Sequence, residues 1–373
     1  MSTHGMLLSG TREDVRRKGL KTMKTGRTLT ELAQELERQV KSKKDFIADT
    51  RRLAMAESGN DLQMINGSVK SFSVSDLCHN QIGARLGIPA KYYDKMRQEA
   101  PGLLAYNVNA WFTRSPERRL LRTIDGRARA FLSDRYRPLD NFDLAEVILP
   151  KLNDIGCKVE SAELTESRLY IKAITPRITA EVKKGDVVQA GLVISNSEVG
   201  CGSVRIEPLI FRLVCLNGMI SADHSLKKYH VGKGSGDMED AENLQFYRDE
   251  TRQADDRAFW LKVRDVVDAT LTPDKFRLIV EKMQRATDQK ITGDPVEAVE
   301  VIKTRFALSD DEGAGVLRHL INGGDLSAYG VANALTRQSQ DIRDYDRATD
   351  FERMGGIVID LPRQDWQAIA TAN

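Results

Sequence analysis

The chain has 373 residues, 41% of them hydrophobic and 29% charged, the balance of an ordinary soluble globular protein with length for about two or three domains. A formal net charge of +2 excludes a global pull toward nucleic acid or membrane, so any electrostatic function must come from local clustering. Four scattered cysteines exclude a disulfide framework, and the longest apolar run, LIFRLVCL, is too short to span a bilayer.

The opening MSTHGMLLSG lacks a basic stretch followed by an apolar run, so the expectation is a cytoplasmic protein with no export signal and no membrane partner. Residues 1–27 are polar and basic and read as a flexible arm. A helix is expected from Thr28, where Thr28 and Glu31 match a capping box and Leu29, Leu32, Ala33, Leu36 and Val40 recur at helical spacing. It opens a block of leading helices over 28–104. From Ser75, SDLCHNQIGARLGIPAKYYDKMRQ predicts two helices joined by LGIP. The joint resembles a helix-turn-helix, but a DNA-binding trihelical core needs a partner helix that the sequence does not place, which favours a plain helical hairpin.

Over 105–231 the period shifts toward two, in RRLLRTI, RARAFLS, KVESAEL, RLYIKAI and VVQAGLVIS, so this block is expected to be a central sheet domain. The apolar run of EPLIFRLVCLNG suits a buried strand as well as a helix, and Pro208 at a first turn with Gly218 just past the end favours the helix. Residues 232–253, containing GKGSGDMEDAENLQ, read as a linker. Beyond it, 254–373 shows apolar residues at three and four spacing, with Pro273 and Pro295 at helix starts, and a final GGIVIDL that reads as a strand returning to the sheet. The fold class is therefore α+β: a central, mainly antiparallel sheet with leading helices and a helical C-terminal part.

The chemistry concentrates in RRLLRTIDGRARAF. With Asp125-Gly126 as a two-residue type I′ turn, Arg122 stands opposite Arg129 and Leu120 opposite Phe131. One face then carries Leu121, Thr123, Ala128, Ala130 and Leu132. The other carries Arg118, Arg122, Arg127 and Arg129 beside Leu120 and Phe131. A like-charge pair directly across a ladder costs up to about 1 kcal/mol, so something should offset it. Eight arginines between Arg114 and Asp140 face only Glu117, Asp125, Asp134 and Asp140. Arginine forks bind phosphates and exposed aromatics stack on bases, so Arg118, Arg122, Arg127, Arg129, Arg135 and Arg137 with Phe131 and Tyr136 outline a nucleic-acid platform. Lys227 and Lys228, in DHSLKKYHVGKG, would extend the track. The competing reading pairs the arginines with carboxylates of neighbouring strands and covers Phe131 with a helix.

Cys201, Cys215, His224 and His230 match no compact zinc spacing; GCGSVR fails the dinucleotide fingerprint and HVGKGSG fails the P-loop. No metal, cofactor or catalytic residue is called for. Three stretches, RARAFLSDRYRPLDNFDLAEVILPKL, GLVISNSEVGCGSVRIEPLIFRLVCLNGMI and DLSAYGVANALTRQSQDIRDYDRATDFERMGG, together resemble the phage- and plasmid-associated family carrying the domain of unknown function numbered 932. The resemblance runs over roughly residues 70 to 360 and implies a mobile-element protein acting in a bacterial host cell. It assigns no roles, so Asn196, Arg212, Cys215, Asn217 and Gly218 are matched positions only.

These readings converge on a non-enzymatic nucleic-acid-binding protein, with single-stranded DNA the expected partner for binding or annealing in replication or recombination, and leave room for a homo-oligomer. The alternatives are a metal-dependent DNA-processing enzyme built around Asp223, His224 and His230, and a host-protein-binding module using the C-terminal helices.

Overall fold

The computed structural model describes residues 26–136, 138–221 and 249–373. The greater part of the basic arm, most of the linker and Arg137, Asp223, His224, Lys227, Lys228 and His230 lie outside the described residues. Of the linker, only 249–253 is described, and it opens a helix.

The fold is α+β, built on two sheets where one was expected. Helix α1 (Leu29–Ser42) starts on the capping box read from the sequence: the Thr28 hydroxyl accepts from the Glu31 amide, and the Glu31 carboxylate accepts from the Thr28 amide. Strands β1 (Lys44–Asp49), β2 (Leu53–Met55), β3 (Asp61–Asn66) and β4 (Ser68–Val74) follow, in a stretch that the sequence reads as leading helices. Next come α2 (Asp76–Arg85), α3 (Ala90–Glu99) and α4 (Pro101–Arg114), then the hairpin β5 (Arg118–Ile124) and β6 (Arg127–Ser133).

The first sheet has the order β1-β5-β6-β4-β3-β2, with only β4 and β6 parallel. The boundary expected near residue 104 therefore falls inside one unit. Alternation hides in β1–β4 because their outward positions mix Ser, Lys, Ile and Val, while Leu62, Met64, Phe72 and Val74 point into a core shared with α2, α3 and α4.

Helix α5 (Asn141–Asp154) leads into the antiparallel second sheet: β7 (Lys158–Leu164), β8 (Leu169–Glu181), β9 (Val187–Asn196), β10 (Arg205–Arg212) and β11 (Asn217–Ile220), in the order β11-β10-β9-β8-β7. EPLIFRLVCLNG is thus a hairpin and not a helix. Pro208 is accommodated because it lies just before Leu209, where the ladder with β11 begins.

The remaining helices are α6 (Asp249–Thr270), α7 (Pro273–Asp288), α8 (Pro295–Phe306), α9 (Asp310–Gly323), α10 (Ala328–Gln338), α11 (Tyr345–Ile359) and α12 (Arg363–Ala370). On β8, Ile171 and Ala173 pack with α1, α5 and α6. The alternating Tyr170 and Lys172 meet α11 instead, Tyr170 against the Tyr345 ring and Lys172 in a buried ion pair with Glu352 at 2.6 Å. GGIVIDL does return to the sheet, but as the end of α11. Gly355 and Gly356 allow the contact, since a Cβ on Gly356 would overlap the Ile220 carbonyl oxygen. Among the described residues no helix is long and apolar enough to cross a membrane.

Candidate nucleic-acid interface at the arginine hairpin

Asp125 (φ 52°) and Gly126 (φ 75°) both take the left-handed conformation that a type I′ turn requires, and next to the turn Ile124 faces Arg127 and Thr123 faces Ala128, as the sequence predicts. Then the register slips. Arg122 faces Ala130, Leu121 faces Phe131 and Leu120 faces Leu132, so Arg129 is the extra residue of a β-bulge. Two contacts from Ser75 hold the bulge: its amide donates to the Ala128 carbonyl and its hydroxyl to the Arg129 carbonyl.

The slip corrects the expected faces. The like-charge pair does not form, because Arg122 meets the small Ala130. Phe131 moves to the same side as Leu121 and Ala128 and enters the core, 2% exposed and stacked on Phe112 with ring centroids 5.8 Å apart. The Arg119 guanidinium lies 5.0 Å from the centre of its ring. Phe131 is therefore not a stacking surface for a base.

Arg122 is 1% exposed and fully engaged. Its Nε donates to Asp45 at 3.0 Å, Nη1 to the Glu198 carbonyl at 2.8 Å and Nη2 to Asp140 at 2.8 Å. Burial disfavours its charge, but the bonds to Asp45 and Asp140 outweigh that and keep it protonated. Asp140 shows the same balance with the opposite sign: burial pushes its carboxyl up, and hydrogen bonds from Arg122 and Lys43 bring it below the usual range. Arg129 pairs with the buried carboxylate of Glu198, which also accepts from the Asn141 amide at the start of α5 at 2.6 Å. Asn196 completes the junction, donating to the Leu139 carbonyl and to Asn141 Oδ1, both at 2.8 Å. These residues come from β1, β5, β6, α5 and the segment after β9, so a charged network centred on buried Arg122 and Glu198 joins the two sheets. Sequence reasoning missed Asp45 and Glu198, and the only signal was that Glu198 sits in NSEVG, inside a stretch carrying the resemblance.

At the turn end of the hairpin, Asp125 accepts two bonds from Arg38 of α1, and exposed Arg127 lies 3.3 Å from Glu166. A cleft of about 160 Å³ opens there between the turn, α1 and the β7–β8 connection, with Arg38, Arg127, Arg129 and Arg168 on its walls.

The open end of the hairpin differs. Arg118 starts β5, Arg135 follows β6 and Arg114 ends α4. All three are exposed, and among the described residues no carboxylate lies within ion-pair reach of their guanidinium groups. Asp49, opposite Arg118 in the ladder, is taken by Arg51, and Glu117 is taken by Arg85. Arg85, Arg114, Arg118, Arg119 and Arg135 stand against Glu117 and Asp134, an excess of three positive charges. Trp111, one turn before Arg114 on the same helix, is 42% exposed, and Tyr106 is 72% exposed. Tyr136 is half-buried, its hydroxyl donating to the Ser197 carbonyl at 3.2 Å, and burial raises its pKa.

The matched positions of the second sheet also find partners. Arg212 grips Asp186 through Nε and Nη2 at 2.6 and 2.7 Å, and Tyr329 of α10 donates to the same carboxylate. Arg212 Nη1 reaches Cys215 Sγ at 3.2 Å, Asn217 donates to Thr336 at 2.5 Å, and Gly218 faces Phe211 in the β10–β11 ladder. Their contacts tie the β10–β11 hairpin to β9's approach and to α10.

No curated protein and no solved structure matches the chain. Residues 130–354, from the second strand of the arginine hairpin to the middle of α11, match the family described as Domain of unknown function (DUF932), and the chain belongs to that family.

Proposed function

We propose that the protein binds nucleic acid, single-stranded DNA in the first place, through the open end of the arginine hairpin and without catalysing a reaction. The observation that carries this reading is the contrast along one hairpin. Arg122 and Arg129 are taken up by Asp45, Asp140 and Glu198, whereas among the described residues Arg114, Arg118 and Arg135 are exposed with no carboxylate in reach, and exposed Trp111 lies one turn before Arg114 on the same helix. Forks of this kind hold phosphates, and an exposed indole supplies a stacking surface worth roughly 1–3 kcal/mol per base. Trp111 thus takes the part that the sequence had given to Phe131. Arg137, next to Arg135, and Lys227 and Lys228 stay in the proposal as further phosphate contacts. The mobile-element association implied by the resemblance supplies the context, replication or recombination of a phage or plasmid in a bacterial cytoplasm.

Fluorescence anisotropy with a labelled single-stranded oligonucleotide at two salt concentrations tests the reading. Affinity is expected to fall steeply with salt. A triple variant, Arg114→Glu with Arg118→Glu and Arg135→Glu, should abolish binding while leaving the thermal transition in place. Binding that is indifferent to the three substitutions would remove the open end as the interface.

A further inference from the structure

Helices α5 and α6 share a core in which Leu144, Ile148 and Leu152 meet Val263, Val266 and Val267, and the Lys151–Asp268 ion pair at 2.7 Å fixes their spacing. On the solvent side of the pair a groove of about 720 Å³ stays open. Part of its lining is apolar. Val147 and Pro150 come from α5, Trp260 and Leu261 from α6. Leu261 is 50% exposed, and half-buried Trp260 is held edge-to-face against Phe259 with ring centroids 4.9 Å apart. The lining residues recur at helical spacing, Glu146, Pro150 and Asp154 on one helix and Arg257, Trp260, Leu261 and Arg264 on the other. Each helix therefore carries a second stripe besides the one that packs on the core.

Charge on these stripes is sorted by helix. Glu146 and Asp154 stand on α5, Arg257 and Arg264 on α6; all four are exposed, and among the described residues none has an ion-pair partner. The acids lie about 12 Å apart along their helix and the bases about 10 Å apart along theirs, at 1.5 Å rise per residue. They do not close on each other, because the packing beneath holds the helices at a fixed separation. Two acids against two bases give no net pull on a phosphate or on any ligand of one sign. The groove fits a surface that carries both signs, sorted in the same way at the same spacing, beside apolar groups. A second copy of this chain is such a surface. With a two-fold axis through the groove, α5 of each copy lies along α6 of the other, acids meet bases at matched spacing, and both indoles are covered.

We propose that the α5–α6 groove is the interface of a two-fold homodimer, anchored by Trp260 and Leu261 and aligned by Glu146 and Asp154 of each copy against Arg257 and Arg264 of the other. The open-end arginines do not line this groove, so the inference is independent of the nucleic-acid reading.

Light scattering coupled to size exclusion, on the full chain at micromolar concentration, tests it against the chain mass of 41.8 kDa. The parent chain should elute at twice that mass. Two charge reversals, Glu146→Arg with Asp154→Arg and Arg257→Glu with Arg264→Glu, should each return the chain to the single mass, since like charges then face each other across the axis. Mixing the two variants should restore the doubled mass, because one copy then presents only bases and the other only acids. Mixing would not repair a lost fold. Leu261→Asp, at an exposed position, should also halve the mass, and it serves if a charge variant fails to fold. A parent chain that stays at the single mass overturns the proposal and leaves the groove to a partner of another kind. A doubled mass that survives either reversal, or a mixture that stays monomeric, overturns it equally. The Arg114, Arg118, Arg135 triple variant should remain dimeric, so failure of the open-end reading and failure of this one are distinct.

Discussion

Arg122 donates through Nη2 to Asp140 Oδ1 at 2.8 Å, and this bond fastens β5 of the first sheet to the residue that caps α5 against the second. It belongs to a set in which Asp45, Asp140 and the Glu198 carbonyl engage all three nitrogens of one buried guanidinium. The guanidinium is buried, whereas Asp45 is exposed and Asp140 also holds Lys43, so the buried cation depends on its carboxylates more than they depend on it.

Arg122→Met should therefore destabilise the protein by about 1–3 kcal/mol, through loss of the bonds its buried guanidinium makes to Asp45, Asp140 and the Glu198 carbonyl. Urea titration followed by circular dichroism measures it. A loss below about 1 kcal/mol would place the pair with surface ion pairs in energetic weight.

Phe131 and Trp111 should separate stability from binding. Phe131→Ala empties a core site against Phe112 and is expected to cost about 3–5 kcal/mol. Trp111→Ala, at a half-exposed helix position, should leave stability within about 0.5 kcal/mol and weaken oligonucleotide binding about fivefold or more. Denaturant titration and anisotropy on both variants check the assignment, and the reverse pattern would return the stacking role to Phe131.

His79 makes the first sheet's core acid-sensitive. Burial among α2, α3 and the sheet, with the nearby Arg97 charge, lowers its pKa to about 4, and its Nδ1 pairs with the Tyr93 hydroxyl at 2.9 Å. The folded protein thus keeps the ring neutral while the unfolded chain protonates near 6.5. Between those values the unfolded state binds more protons, so stability is complete above about pH 6.5 and falls as pH drops toward 4, by roughly 3 kcal/mol in all. His79→Gln should flatten that slope. Unfolding free energies at a series of pH values decide the matter, and parallel profiles for parent and variant would assign the acid sensitivity elsewhere.

Much of the local structure was legible in sequence because it depends on neighbours a few residues apart. The Thr28–Glu31 box, the Ser75 start, the Asp125-Gly126 turn and the proline-led helices α7 and α8 all stand where the residues put them. So did the concentration of arginine between Arg114 and Asp140 and the α+β class.

Tertiary structure alone decided which arginines are free. Strand pairing fixes parity only while the ladder is regular, and one bulge at Arg129, held by Ser75 from a distant strand end, reversed the side on which Phe131 lies. The partners of Arg122 and Arg129 come from residues 45, 140 and 198, separations no periodicity connects. In EPLIFRLVCLNG and GGIVIDL the same apolar run suits a strand or a helix, and packing chose. β11 completes a sheet edge, and two glycines let α11 lie against it. The sequence by itself set the turns, the caps and the local excess of charge. Burial and long-range pairing then divided that charge into a buried junction and an exposed surface.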